Sequence, residues 1–192
     1  MADRYSSFAE LAASEQIDVD YRIRIEDRGT SIIVIAPHGG HIEPGTSQIA
    51  AAIANAELSL YAFEGVRPGR PHGDLHITST NFDEPNALNL VRRTQTAIAI
   101  HGRRDKEGPS VWVGGLATFL RDKLVSALNS AGFDATIAKG HLAARDARDI
   151  CNRGMSGAGV QFELARTLRG QLTADTHMMR AFCNAIRVEI LG

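Results

Sequence analysis

Two imidazoles, a carboxylate and three glycines crowd into Ala36-Pro37-His38-Gly39-Gly40-His41-Ile42-Glu43-Pro44-Gly45, directly after the β-branched run Ile32-Ile33-Val34-Ile35. His38 and Glu43 stand five positions apart. With a turn between them both side chains can reach one ion, whereas continuous helix or strand would point them apart. His101, followed by Gly102 at the end of a strand-like segment, is the best candidate for a third ligand. Two histidines and one carboxylate suit Zn2+, one per chain, and leave the fourth position of its tetrahedron for water. Plainer readings stand beside this one. Glu43 can serve as a helix N-terminal carboxylate favoured by the dipole, and His101 as an ordinary hydrogen-bonding strand end.

Glu163 lies in Val160-Gln161-Phe162-Glu163-Leu164. Strand alternation puts Val160 and Phe162 on one face, Gln161 and Glu163 on the other. A carboxylate among such neighbours needs a partner. Beside a metal-activated water it can act as general base and then pass the proton to a leaving amine; a buried salt bridge to an arginine is the alternative. Asn152 and Arg153 precede a glycine-rich stretch and suit a substrate carboxylate. Arg103 and Arg104, just after His101, suit an anionic substrate or a solvated charged edge. His41 is a candidate substrate or supporting contact. His72 and His76, four apart in a long loop, read as a second metal pair or as loop polar residues; His76 is also a candidate substrate contact. The Gly-Gly step matches neither phosphate-binding glycine motif.

These residues need a scaffold that brings distant segments together. Segments 21–25, 31–36, 58–63, 75–78, 96–100, 110–113, 133–138 and 159–164 read as strands. Segments 6–15, 46–57, 86–93, 117–131, 142–150 and 175–190 read as helices, with Thr46 or Ser47 capping the second. Alternation of the two predicts a three-layer α/β/α fold with a mixed or mostly parallel sheet. Parallel strands end on one side, where ligands bind, so His38, His101 and Glu163 can meet there. The Gly-, Pro- and Asp-rich stretch 64–86 is long enough to be functional.

The 192 residues are 44% hydrophobic and 22% charged, with a formal net charge of -1. That suits one catalytic domain over 1–192 and advertises neither a nucleic-acid nor a membrane surface. Charge is uneven: residues 1–60 carry four Arg/Lys against nine Asp/Glu, residues 139–169 six against three. Positive charge thus collects around the later site candidates, as an anionic ligand would favour. Cys151 and Cys183 form no disulfide framework. The N-terminus has no signal-peptide pattern, so synthesis in the cytoplasm is expected, and the absence of a coiled-coil segment leaves a monomer as the expectation.

The chain resembles the poly-gamma-glutamate hydrolases of bacteriophages and their bacterial relatives. The resemblance rests on Pro37–Gly45, His101-Gly102, Ile150-Cys151-Asn152-Arg153-Gly154 and Gly159–Leu164, with Phe63-Glu64-Gly65 and Leu75-His76-Ile77-Thr78-Ser79 in the same order. It implies a compact zinc carboxypeptidase-like fold, His38, Glu43 and His101 as zinc ligands, Glu163 as the catalytic carboxylate, and Asn152 and Arg153 as substrate-carboxylate binders. The implied reaction is hydrolysis of gamma-glutamyl amide bonds, stripping an anionic capsule polymer; in a phage setting the enzyme would be released on host lysis. Digestive carboxypeptidases carry His-x-x-Glu, so the longer His38–Glu43 step argues against a simple exopeptidase. A zinc amidohydrolase or carboxypeptidase acting on a small N-acyl amino acid or a cell-wall peptide, and a non-catalytic binder of anionic polymer, are the competing expectations.

Overall fold

The computed structural model describes residues 3–106 and 108–192; Met1 and Ala2, which open the stretch read for an export signal, lie outside the described residues. The strands are β1 (Tyr21–Glu26), β2 (Ile32–Gly40), β3 (Ser59–Gly65), β4 (Thr96–Arg103), β5 (Ser110–Gly114), β6 (Asp134–Ile137) and β7 (Val160–Ala165). The helices are α1 (Phe8–Ser14), α2 (Thr46–Ala54), α3 (Pro85–Arg93), α4 (Thr118–Ser130), α5 (Arg166–Ala174) and α6 (Thr176–Leu191). The strands form one mixed sheet in the order β1-β3-β2-β4-β7-β5-β6. β3, β2, β4 and β7 run parallel, β1 is antiparallel at one edge, and β5 runs against β7 with β6 parallel to it.

Two apolar layers sandwich this sheet. Val34, Ile98, Ile100, Val160 and Phe162 face the core shared with Ile49 of α2, Leu124 of α4, Leu168 of α5 and Phe182 of α6. Ile33, Ile35, Ala97 and Ala99 face the other core, with Leu11 of α1, Leu90 and Val91 of α3, and Phe82. Strands covered on both sides carry continuous apolar runs, which is why Ile33–Ala36 shows no polar face. Each fully buried Ile or Phe adds roughly 1.5–3 kcal/mol. The three-layer α/β/α expectation is met, with a mixed sheet.

Helix ends follow local chemistry. Glu84 caps α3 by accepting from the Ala87 amide at 2.8 Å, with Pro85 at the first helical position. Asp175 caps α6 by accepting from His177 and Met178. Neither Thr46 nor Ser47 caps α2. Thr46 Oγ1 instead donates to the carbonyls of Glu43 and His38, and Ser47 Oγ accepts from the Gly40 amide, so both hydroxyls brace the turn that precedes the helix. Asn55, at φ 49°, ends α2 before the expected Glu57.

Two expected elements do not form. Segment 75–78 is no strand; it lies between short 3-10 turns at His72–Asp74 and Ser79–Asn81 and bonds to side chains rather than to a strand ladder. Segment 142–150 is no α-helix: 3-10 turns at Gly140–Ala143 and Ile150–Arg153 flank it, and Ala144 sits at φ 48°, which a right-handed helix cannot continue through. Conversely, α5 has no counterpart among the expected helices.

The 64–86 loop is anchored to α1. Arg70 bonds both carboxylate oxygens of Glu15, at 2.7 and 2.8 Å. Those bonds, against the opposing effect of burial, hold the Glu15 carboxyl down at about 2 from its ordinary 4.5. A carboxyl depressed in the folded state stabilises the fold above its unfolded value and loses that contribution as pH falls through the folded one. Glu15→Gln should therefore flatten the loss of stability between pH 4.5 and about 2, read by denaturant unfolding across that range.

Candidate metal centre

Three parallel strands bring the site together. His101 of β4 and Glu163 of β7 are register partners, so their side chains stand side by side on the face of Ala97, Ala99 and Gln161. His38 needs a special device. Alternation from Val34 and Ala36 would send it to the opposite face, under α2. Between Ala36 and Gly39, however, β2 takes three steps while β3 takes two: Ala36 pairs with Ala62, Gly39 with Glu64. Such a bulge turns the following side chain over. His38 thus emerges beside His101, with ring centroids 4.9 Å apart, and against Phe82 at 6.1 Å and His76 at 4.0 Å. Gly40 closes the strand at φ +61°, where a Cβ would lie 2.3 Å from the Gly65 carbonyl oxygen; only glycine fits there.

The polar geometry is dense. His38 Nε2 bonds the Ile77 carbonyl at 2.8 Å. A carbonyl only accepts, so Nε2 carries the hydrogen and Nδ1 is left facing the pocket. That Nδ1 lies 3.2 Å from His101 Nδ1 and 3.4 Å from Glu43 Oε1. Glu43 Oε2 accepts from the Gly102 amide at 2.7 Å, and His72 Nε2 stands 3.5 Å from Oε1 at the more exposed lip. Donor atoms of His38, Glu43 and His76 lie within 4.8 Å of one another. His101 Nε2 is buried without a hydrogen-bond partner. Converging ring nitrogens, an orphaned imidazole nitrogen and a buried carboxylate fit a cation of zinc's preferences.

Electrostatics separates the two carboxyls. Burial acts to raise Glu43, but the charge and hydrogen bond of His38, then His72 and the charge of His101, overcome it and hold the carboxyl well below its usual range. Glu163 is pushed well above that range by burial and by the charge of Glu43, with Arg103 opposing. Burial, then the charge of His38, lowers His101 to about 3. The two carboxyls are thus driven in opposite directions, Glu43 toward the ionised form and Glu163 toward the protonated one. Gln161 Nε2 donates to Glu163 Oε1 at 2.9 Å and fixes its orientation.

The other expected site residues fall into two groups. Arg103 is buried on the site-facing side of β4, 3.9 Å over the Trp112 ring, and bonds Ser110. His76 lines the pocket. Arg104 and His41 are exposed. Asn152 and Arg153 depart from the expectation. Asn152 Nδ2 donates to the carbonyls of Ala144 and Asp146, and its Oδ1 accepts from the amides of Leu116 and Gly159, so its amide is fully spent on backbone. Arg153 donates to the carbonyls of Arg148, Phe82 and Thr80 and pins the loop that carries Phe82. Both therefore brace loops. Asn152→Ala should cost at least about 1–3 kcal/mol through unpaired buried groups, seen as a lower Tm; a substrate contact would instead raise KM and leave Tm unchanged.

Arg169 of α5 escaped the sequence reading. Although buried, it donates to the carbonyls of Leu164, Pro44 and Arg103, tying together the segments behind Glu163, Glu43 and His101. Nothing in its neighbourhood, Leu168-Arg169-Gly170, marks it in the sequence. Its guanidinium lies over Gly102, where a Cβ would come 2.5 Å from Arg169 Cζ. Gly102→Ala should destabilise the fold by about 1–3 kcal/mol and weaken metal binding by shifting the amide that holds Glu43, as thermal unfolding and zinc titration would show.

A mixed-sheet α/β/α layer with histidine and glutamate side chains converging at its strand ends defines an α/β protein with a pocket of metal-ligating type. The poly-gamma-glutamate hydrolase family model matches residues 5–184, and the chain belongs to that family. It is 38% identical over 174 residues to the SPbeta prophage-derived UPF0714 protein YoqZ of Bacillus subtilis, covering 89% of this chain and 62% of YoqZ. It therefore spans a little under two thirds of that relative's length. Among solved structures, a bacteriophage poly-gamma-glutamate hydrolase superposes with a TM-score of 0.94 at 33% identity, covering 99% of this chain and 97% of that one. The zinc-free apo form of YndL superposes with a TM-score of 0.91 at 31% identity, covering 99% and 98%. No helix among the described residues is long and apolar enough to cross a membrane.

Proposed function

We propose that this chain hydrolyses gamma-glutamyl amide bonds of poly-gamma-glutamate with one zinc ion per chain. The observation that carries the reading is the meeting of His38, Glu43 and His101 at the strand ends with Glu163 in register beside His101. Family membership and the existence of a zinc-free apo form of YndL support it. His38, Glu43 and His101 are the intended ligands, with His76 at the same pocket.

When bound, zinc supplies Lewis-acid polarisation of the amide carbonyl and lowers the pKa of water. Glu163 takes the proton of the attacking water and delivers it to the leaving amine. Its high proton affinity suits the delivery half of that cycle, and the Gln161 bond keeps the carboxyl aimed. Arg104, exposed beside the buried Arg103, meets the free alpha-carboxylates that each gamma-linked unit carries, and Arg103 adds positive charge on the same face of β4 as His101.

The experiment is incubation with poly-gamma-glutamate alongside N-acyl amino acids, with product sizes measured. Shortening of the polymer with little turnover of the small amides supports the reading. Turnover of the small amides alone overturns it in favour of a small-molecule amidohydrolase, and unchanged polymer with retained binding would leave a non-catalytic binder.

A further inference from the structure

We propose that His76 is an additional donor to the metal pocket and that Asp3 holds it there, so that the N-terminal segment takes part in metal retention. The proposal rests on the zinc reading above, and because zinc can expand to five-coordinate, a His76 donor would still leave a place for water. His76 Nδ1 lies 2.6 Å from Asp3 Oδ1. An ionised carboxylate only accepts, so Nδ1 carries the hydrogen and Nε2 keeps its lone pair. The His76 ring lies 4.0 Å from the His38 ring, centroid to centroid, and offers a donor atom within 4.8 Å of those of His38 and Glu43. A carboxylate behind a ligating imidazole fixes its tautomer and raises its basicity.

Asp3 does not touch His76 by chance alignment. Its Oδ2 accepts from both the amide and the hydroxyl of Thr78, at 2.7 and 2.6 Å. The Arg4 amide donates to the Gly73 carbonyl at 2.9 Å. Between these two anchors the loop presents His76 and then Ile77, whose carbonyl sets the His38 tautomer. The Asp3 and His76 side chains are 19% and 17% exposed, shielding their bond from competing water.

The test is zinc affinity of the full chain, by competition with a chromophoric chelator, with the visible spectrum of the Co2+-substituted protein as a second readout. Asp3→Asn and His76→Ala should each weaken zinc binding about 10–100-fold, and His76→Ala should alter the cobalt bands. Asp3→Asn added to His76→Ala should cost nothing more, because the two act as one unit. If His76→Ala does not fold, His76→Gln takes its place in the same cycle. Wild-type affinity and cobalt bands in the His76 variant overturn the proposal, as does an Asp3 effect that persists without His76, which would mark a strap acting through Thr78. A protein that binds zinc, loses it on His38→Ala and ignores His76 overturns this inference alone; a wild-type protein that binds no zinc overturns the metal reading with it.

Discussion

Glu163→Gln is expected to lower kcat by about 10²–10⁴-fold while zinc content and Tm stay near those of the wild type. The exchange is isosteric, so β7 keeps its packing. Gln161 Nε2, which now donates to Glu163 Oε1 at 2.9 Å, finds the same amide oxygen in the variant. What disappears is the ability to take and return a proton. Glu163 carries the proton in this account and is not one of the assigned ligands, so metal should remain. Steady-state kinetics on poly-gamma-glutamate with elemental analysis of the same sample separates the two effects. A variant with wild-type kcat would remove Glu163 from the chemistry, and one that lost its zinc would make it a ligand.

His38→Ala is expected to reduce zinc well below one per chain and bring hydrolysis to background. His38 sits at the centre of the cluster: Nε2 on the Ile77 carbonyl at 2.8 Å, Nδ1 at 3.4 Å from Glu43 and 3.2 Å from His101. Removing the ring takes away one donor and leaves the Ile77 carbonyl without its partner. It also removes the imidazole that contributes most to offsetting the burial of Glu43. The stability cost should be about 1–3 kcal/mol, visible in urea unfolding of the metal-free protein. Full zinc retention in this variant would contradict the assigned ligand set.

Much of this site was legible in sequence because strand periodicity is strict. The runs Ile32–Ile35 and Thr96–Ile100 became central parallel strands, and the Gln161/Glu163 alternation holds in β7. The facing of His38 was not legible. It depends on a one-residue slip against β3, and a slip is a property of two strands together. Local pattern also failed wherever distant groups supply the hydrogen bonds. Thr78 bonds Asp3 rather than a strand neighbour, and the carbonyls of Ala144 and Asp146 bond Asn152 rather than continue a helix. Asn152 and Arg153 look like substrate binders as residue types, because the backbone carbonyls that occupy them arrive only with the fold. Arg169 shows the same limit from the other side: its role lies wholly in three carbonyls from remote segments.

The central claim is metal-dependent cleavage of poly-gamma-glutamate, and its most direct measurement is the polymer's size distribution after incubation, with and without a zinc chelator. The account predicts progressive shortening that stops on chelation and returns when zinc is restored. Polymer that stays at full length with zinc-loaded protein, or shortens equally after the metal is removed, would contradict it.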